Sequence, residues 1–136
     1  LQNFQPVMQW KSKIILIKSV RKGQPLSYSR KHITQRDSLI ATLPIGYADG
    51  LNRNLSNNME VLVKGKRVPQ VGTICMDMIL IDVSEIADVQ MGDEVVIFGK
   101  QGEEEIRVEE LARRSNTIAY EVLCNIGKRV PRVYQD

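Results

Sequence analysis

Aromatic residues make up only 5% of this 136-residue sequence, and it has a single histidine, His32. With so few aromatics, no basic run and no interleaving of rings with Lys or Arg, a net charge of +3 does not describe a nucleic-acid surface. One histidine cannot build a metal site without other ligands, so no metal is expected. The two cysteines, Cys75 and Cys124, form no C-x-x-C pair and read as reduced thiols of a cytoplasmic protein. No apolar run reaches the ~18 residues that a membrane span needs. The stretch from Leu1 to Trp10 lacks a charged region followed by an apolar one, so no secretory signal is expected. A phosphate-binding P-loop, an H-E-x-x-H zinc motif and a Ser/His/Asp signature are all missing.

What remains is a sequence of short β-branched segments separated by turn residues. It is 43% hydrophobic and 26% charged, as expected of one ordinary globular domain spanning residues 1–136. Ile14 to Ile17 reads as a strand closed by the turn Arg21-Lys22-Gly23-Gln24-Pro25. Ser38 to Pro44 reads as another. Val61-Leu62-Val63 and Arg67-Val68 flank Lys64-Gly65-Lys66, a hairpin signal. Ile74 to Val83 is apolar on both alternating faces and predicts a strand buried on two sides. Asp77 would then sit in apolar surroundings and need a partner. Glu94 to Phe98 predicts a further strand, with a turn at Gly99 to Gly102.

Helical spacing appears only late in the chain. Val108, Leu111, Ala112 and Ser115 share one face, as do Ile118, Val122, Leu123 and Ile126. Asn116 or Thr117 would cap the second helix and Gly127 would end it. Arg129 to Val133 reads as extended, and the Asn-rich stretch Asn52 to Asn58 as a loop. With no βαβ rhythm, the fold class is mainly β, a barrel-like or Greek-key domain with one or two short helices near the C-terminus.

Two local features stand out. Gly46-Tyr47-Ala48-Asp49-Gly50 follows a strand and, read alone, is a turn in which Tyr47 caps the core. Gly72 to Asp77, read alone, is a core strand with Met76 filling a gap. A general base would have to come from Tyr, Asp, Glu, Lys or the lone histidine. Neither feature identifies a function by itself. Their order along the chain adds more. Leu26-Ser27-Tyr28-Ser29-Arg30 comes first, followed by Ile40 through Gly50, Arg53 and Val71-Gly72. Met76-Asp77, Val108 to Ala112, Tyr120 to Cys124 and Lys128-Arg129-Val130-Pro131-Arg132 complete the series.

This series resembles the C-terminal domain of the pyridoxal 5'-phosphate-dependent alanine racemases, from about Pro6 to Tyr134. The resemblance implies a two-domain homodimer in the bacterial cytoplasm that interconverts L- and D-alanine for peptidoglycan synthesis. It implies an N-terminal (β/α)₈ barrel, absent from this chain, that holds the cofactor covalently on a lysine. None of the chain's lysines sits in that context, so the domain alone is expected to be inactive. It contacts a barrel both in its own subunit and in the partner. Inverting a stereocentre requires bases on opposite faces of a planar carbanion, and by motif position Tyr28 is the base facing the lysine. Met76 matches a residue that contacts substrate, and Asp77 beside it helps line the pocket. Tyr120 matches a tyrosine that hydrogen-bonds the cofactor phosphate. Tyr47 and Arg53 match residues of the approach corridor, where a cation guides a carboxylate.

Three positions depart from the family pattern: Ser29 for Gly, Leu51 for Tyr, and Thr73 for an Arg that would place a positive charge in the corridor. They leave open the same domain in a serine or broad-specificity racemase, including membrane-tethered forms. A non-catalytic β-barrel binding module is the alternative of a different class.

Overall fold

The structure, a computed structural model, describes residues 5–27 and 32–135. Ten strands come in chain order: β1 (Trp10–Lys13), β2 (Leu16–Val20), β3 (Pro25–Leu26), β4 (His32–Ile33), β5 (Ser38–Leu43), β6 (Glu60–Val63), β7 (Lys66–Val71), β8 (Ile79–Asp82), β9 (Glu94–Gln101) and β10 (Glu104–Ile106). Helices α1 (Val108–Arg114) and α2 (Ala119–Cys124) follow. Eight strands form one antiparallel sheet in the order β1-β9-β6-β7-β8-β5-β2, with β10 on β9. β3 and β4 pair separately. Strands β6, β7 and β8 meander and β9 returns beside β6, which is a Greek key.

The two ends of this sheet are one short step apart in the chain. β1 stops at Lys13 and β2 starts at Leu16. Between them, the Ile14 N–H bonds Asp93 O and the Ile15 N–H bonds Thr42 O, each at 3.0 Å. Consecutive amides thus reach opposite ends of the strand order, so the sheet must curl until those ends meet. Among the described residues no ladder joins β1 to β2, and the barrel is left unclosed by hydrogen bonds.

Burial explains the curl. Val61, Leu62, Val63, Val95, Val96 and Ile97 are fully buried, so β6 and β9 are apolar on both faces. One face lines the interior, and α1 packs near β9 through buried Leu111. Burying a side chain of this size contributes about 1.5–3 kcal/mol. The β6–β7 hairpin turns at Lys64-Gly65, with φ of 50° and 76°, the two left-handed residues of a type I′ turn.

Several expectations change. The Ile14–Ile17 strand is interrupted at Ile14-Ile15, because Ile14 turns into the core at the sheet's seam. The Ile74–Val83 strand is only Ile79–Asp82, since residues 73–78 leave the ladder to bond the Gly46 turn. Asp77 is therefore exposed, not in apolar surroundings. β9 continues through Gly99 to Gln101, and the turn lies at Gly102-Glu103. The cap of α2 is Ile118, not Asn116 or Thr117, and its C-cap is Asn125, so Gly127 does not end it. The last segment, from Arg129, is a turn and then irregular chain rather than a strand.

Candidate functional site

Three segments distant in sequence meet at one corner of the sheet. After β5 the chain enters a short 3-10 helix, Tyr47–Asp49. Its amides dock on the loop before β8: Tyr47 N–H donates to Cys75 O and Ala48 N–H to Met76 O, each at 3.0 Å. The approach is close enough to require glycine. A Cβ on Gly46 would lie 2.1 Å from Cys75 O and 2.4 Å from Met76 O. The third segment follows α2, where Gly127 N–H donates to Asp49 O at 2.9 Å. Gly50, at φ 109°, leaves room for the Asn125 carbonyl.

The charges at this corner are arranged around Arg129. Its Nε bonds Asp49 Oδ1 at 2.5 Å, and its Nη2 reaches Asp77 Oδ1 at 2.5 Å, Asp49 Oδ2 at 3.3 Å and Met76 O at 3.5 Å. Asp49 is the buried carboxylate, with a side chain 10% exposed, while that of Asp77 is 58% exposed. Asp49 also accepts the Gly46 N–H at 2.9 Å, so its charge is well satisfied. The Asp49 and Asp77 carboxylates hold the Arg129 guanidinium further above its ordinary range, first by hydrogen bonding and then by charge.

The Asn-rich loop supports the same corner from below. Asn57 Oδ1 accepts Gly72 N–H at 2.7 Å, and Ser56 Oγ accepts Ile74 N–H at 2.8 Å. Gln70, buried in β7, bonds the carbonyls of Val71 and Gly72 through Nε2 and the Asn57 amide through Oε1. On the far side Ser27 Oγ donates to Thr73 O at 2.8 Å. The loop that carries Met76 is thus tied on several sides without being a strand.

The predicted residues divide accordingly. Tyr47, Met76 and Asp77 come together at the corner. Tyr47 is 45% exposed and Met76 52% exposed, so neither caps nor fills the core. Arg53 is exposed on a second 3-10 helix, Arg53–Leu55, and joins the corner only through its carbonyl, which accepts Ser56 Oγ. Tyr120 stands 77% exposed at the start of α2. Tyr28 and Ser29 lie outside the described residues. The departures Leu51 and Thr73 are both buried, so Thr73 lies on the inner side of the loop while Met76 and Asp77 face outward. The roles of Asp49, Arg129, Ser56 and Asn57 were not read from the sequence. The one available signal was residues of opposite charge within the ordered blocks, Asp49 before Gly50 and Arg129 before Val130-Pro131, and it names no pairing.

The sequence matches the alanine racemase C-terminal domain family over residues 7–134. It is 55% identical to alanine racemase 2 of Caldanaerobacter subterraneus subsp. tengcongensis over 97% of this chain and 34% of that protein. It is 48% identical to an alanine racemase of Halothermothrix orenii over 98% of this chain and 35% of that protein. The chain therefore spans about a third of the length of these relatives. Among solved structures, alanine racemase from Bacillus anthracis with bound L-Ala-P superposes with a TM-score of 0.89 at 42% identity, over 94% of this chain and 32% of that one. The biosynthetic alanine racemase from Pseudomonas aeruginosa gives 0.91 at 32% identity, over 99% and 37%. A sheet with these Greek-key pairings, ordered motifs that meet at one corner, and a family match spanning nearly the whole chain lead to one conclusion: the chain belongs to the alanine racemase C-terminal domain family.

Proposed function

We propose that this chain is the part of a pyridoxal 5'-phosphate-dependent alanine racemase that supplies one base and one wall of the substrate pocket. The observation that carries the reading is the corner itself. Polar contacts hold Tyr47 on its short 3-10 helix, and Met76 and Asp77 on irregular backbone that would otherwise be costly to order, all exposed at one edge. Such an edge is half of a site, completed by a barrel in its own subunit or in a head-to-tail partner.

Among the described residues, the exposed Tyr120 hydroxyl is a donor that fits a phosphate oxygen. By the family resemblance, the cofactor's main binding surface belongs to the barrel. When bound, the cofactor supplies the electron sink that acidifies the alanine Cα–H. Tyr28 takes or returns that proton at its phenol oxygen on one face, and a lysine outside this chain serves the other. Met76 confines the small side chain, and Arg53 draws the substrate carboxylate toward the corridor. A phenol ordinarily titrates near pH 10, so Tyr28 needs cations from the barrel to act near neutrality.

In the full-length protein, Tyr28→Phe is expected to slow proton abstraction from L-alanine by about 10²–10⁴-fold. The half-reaction from D-alanine should be affected much less. Equal loss in both directions, or no loss, overturns the assignment. The 136-residue chain with added cofactor, freed of host enzyme, should show no racemisation; measurable turnover would count against a divided site.

A further inference from the structure

Among the described residues, Arg129 touches both motif segments of the corner, through the side chains of Asp49 and Asp77 and the carbonyl of Met76. Through Nε and Nη2 it binds the buried Asp49 of the Tyr47 turn. Through the same Nη2 it meets Asp77 and lies 3.5 Å from the carbonyl of Met76. Among the described residues, the amide bonds of Tyr47 and Ala48 also tie the turn to the 73–78 loop. Both are made to carbonyls and leave the Asp77 side chain unaddressed. The arginine itself is fixed from behind by its own turn. Gly127 N–H is bonded to Asp49 O, and Arg132 spans the carbonyls of Ile126, Gly127 and Val130 at 2.7–2.9 Å. A planar guanidinium can address two carboxylates from fixed directions, which a lysine ammonium cannot.

We infer that Arg129 is a positioning residue for the substrate wall: it sets Met76 and Asp77 relative to Tyr47, with buried Asp49 as its anchor. This rests on the reading of Met76 as a substrate contact. Arg129 does not touch the reacting atoms in this account. Its loss should loosen binding more than it slows chemistry, because a misplaced wall weakens ground state and transition state together.

The test uses the full-length enzyme, with steady-state racemisation of alanine in both directions. Arg129→Gln should raise KM for both enantiomers by about tenfold while kcat falls less than threefold. Arg129→Lys keeps the charge but not the fork and should recover only part of the loss. Asp77→Asn, at an exposed position, should raise KM without moving the thermal midpoint. Its effect should be non-additive with Arg129→Gln, the double variant being no more impaired than the more impaired single one. An unchanged KM in Arg129→Gln overturns the inference. So does full additivity with Asp77→Asn, or a loss confined to thermal stability. If the unmodified full-length protein fails to racemise alanine, the functional reading fails instead, which separates the two outcomes.

Discussion

The curled sheet and the corner it carries are built on opposite principles. In the sheet, Val61 to Val63 and Val95 to Ile97 are held by burial, and their backbone groups are paired by ladders. At the corner, residues 72–78 have left the ladder, and specific bonds to Asn57, Ser56, Tyr47, Ala48 and Arg129 take its place. The hydrophobic term is non-directional and tolerates small shifts. The corner depends on hydrogen-bond angles and on a close approach at Gly46, so it tolerates few. A fold can keep a robust body while reserving exact placement for a few residues at one edge.

Breaking the body gives the largest effect. Leu62→Ala should destabilise this chain by about 2–5 kcal/mol, read from urea denaturation, because it empties a fully buried position between β7 and β9. The folded fraction of the full-length variant should retain its KM for alanine. A KM change comparable with the stability loss would show that body and corner are not separate.

Breaking the corner inverts that pattern. Gly46→Ala places a methyl carbon against two carbonyl oxygens, and backbone cannot swing aside as a side chain can. Full-length kcat/KM is expected to fall by about 100-fold, the scale of a misplacement near 1 Å. Normal activity in Gly46→Ala would mean that the turn does not position the wall.

A polar cluster of the body offers a sharper contrast with the corner. Arg67 holds Glu110 in a two-pronged pair at 2.9 and 3.0 Å, and also contacts Glu60. Hydrogen bonding to Arg67 keeps the Glu110 carboxyl below its usual range, against the opposing effect of burial. A depressed carboxylate contributes stability above its unfolded value of about 4.3, lost as pH falls through the lower folded value. Glu110→Gln should therefore cost about 1–2 kcal/mol near neutral pH and less below pH ~4. If wild type and variant lose stability in parallel with acid, the pair is not the source. KM should not move in either case, unlike in Arg129→Gln.

The smallest effect is a gain. Lys64 occupies a left-handed position that asparagine adopts more readily. Lys64→Asn should stabilise the chain by roughly 0.5 kcal/mol, since the ion pair it gives up, 3.9 Å to Asp93, is weak. A net loss measured by denaturation would show that the pair outweighs the turn.

The class of fold, the hairpin at Lys64-Gly65 and both late helices were legible, because alternation, turn chemistry and helical spacing act over a few neighbouring residues. So was the family, through ordered motifs. The run from Ile74 to Val83 misled for a physical reason. Apolar residues at 74, 79, 81 and 83 are all buried, yet 76 to 78 are exposed because the turn at Gly46 takes up the carbonyls of Cys75 and Met76. A period-two pattern cannot reveal a partner 28 or more residues away.

What the amino-acid sequence determined by itself is a mainly β domain and its family. Only the tertiary structure decided which aspartate is buried, that Arg129 joins Asp49 to Asp77, and that Met76 and Tyr47 share one exposed edge. Local propensities are properties of neighbours in the chain. An ion pair between residues 80 apart exists only once burial has curled the sheet and brought its ends together.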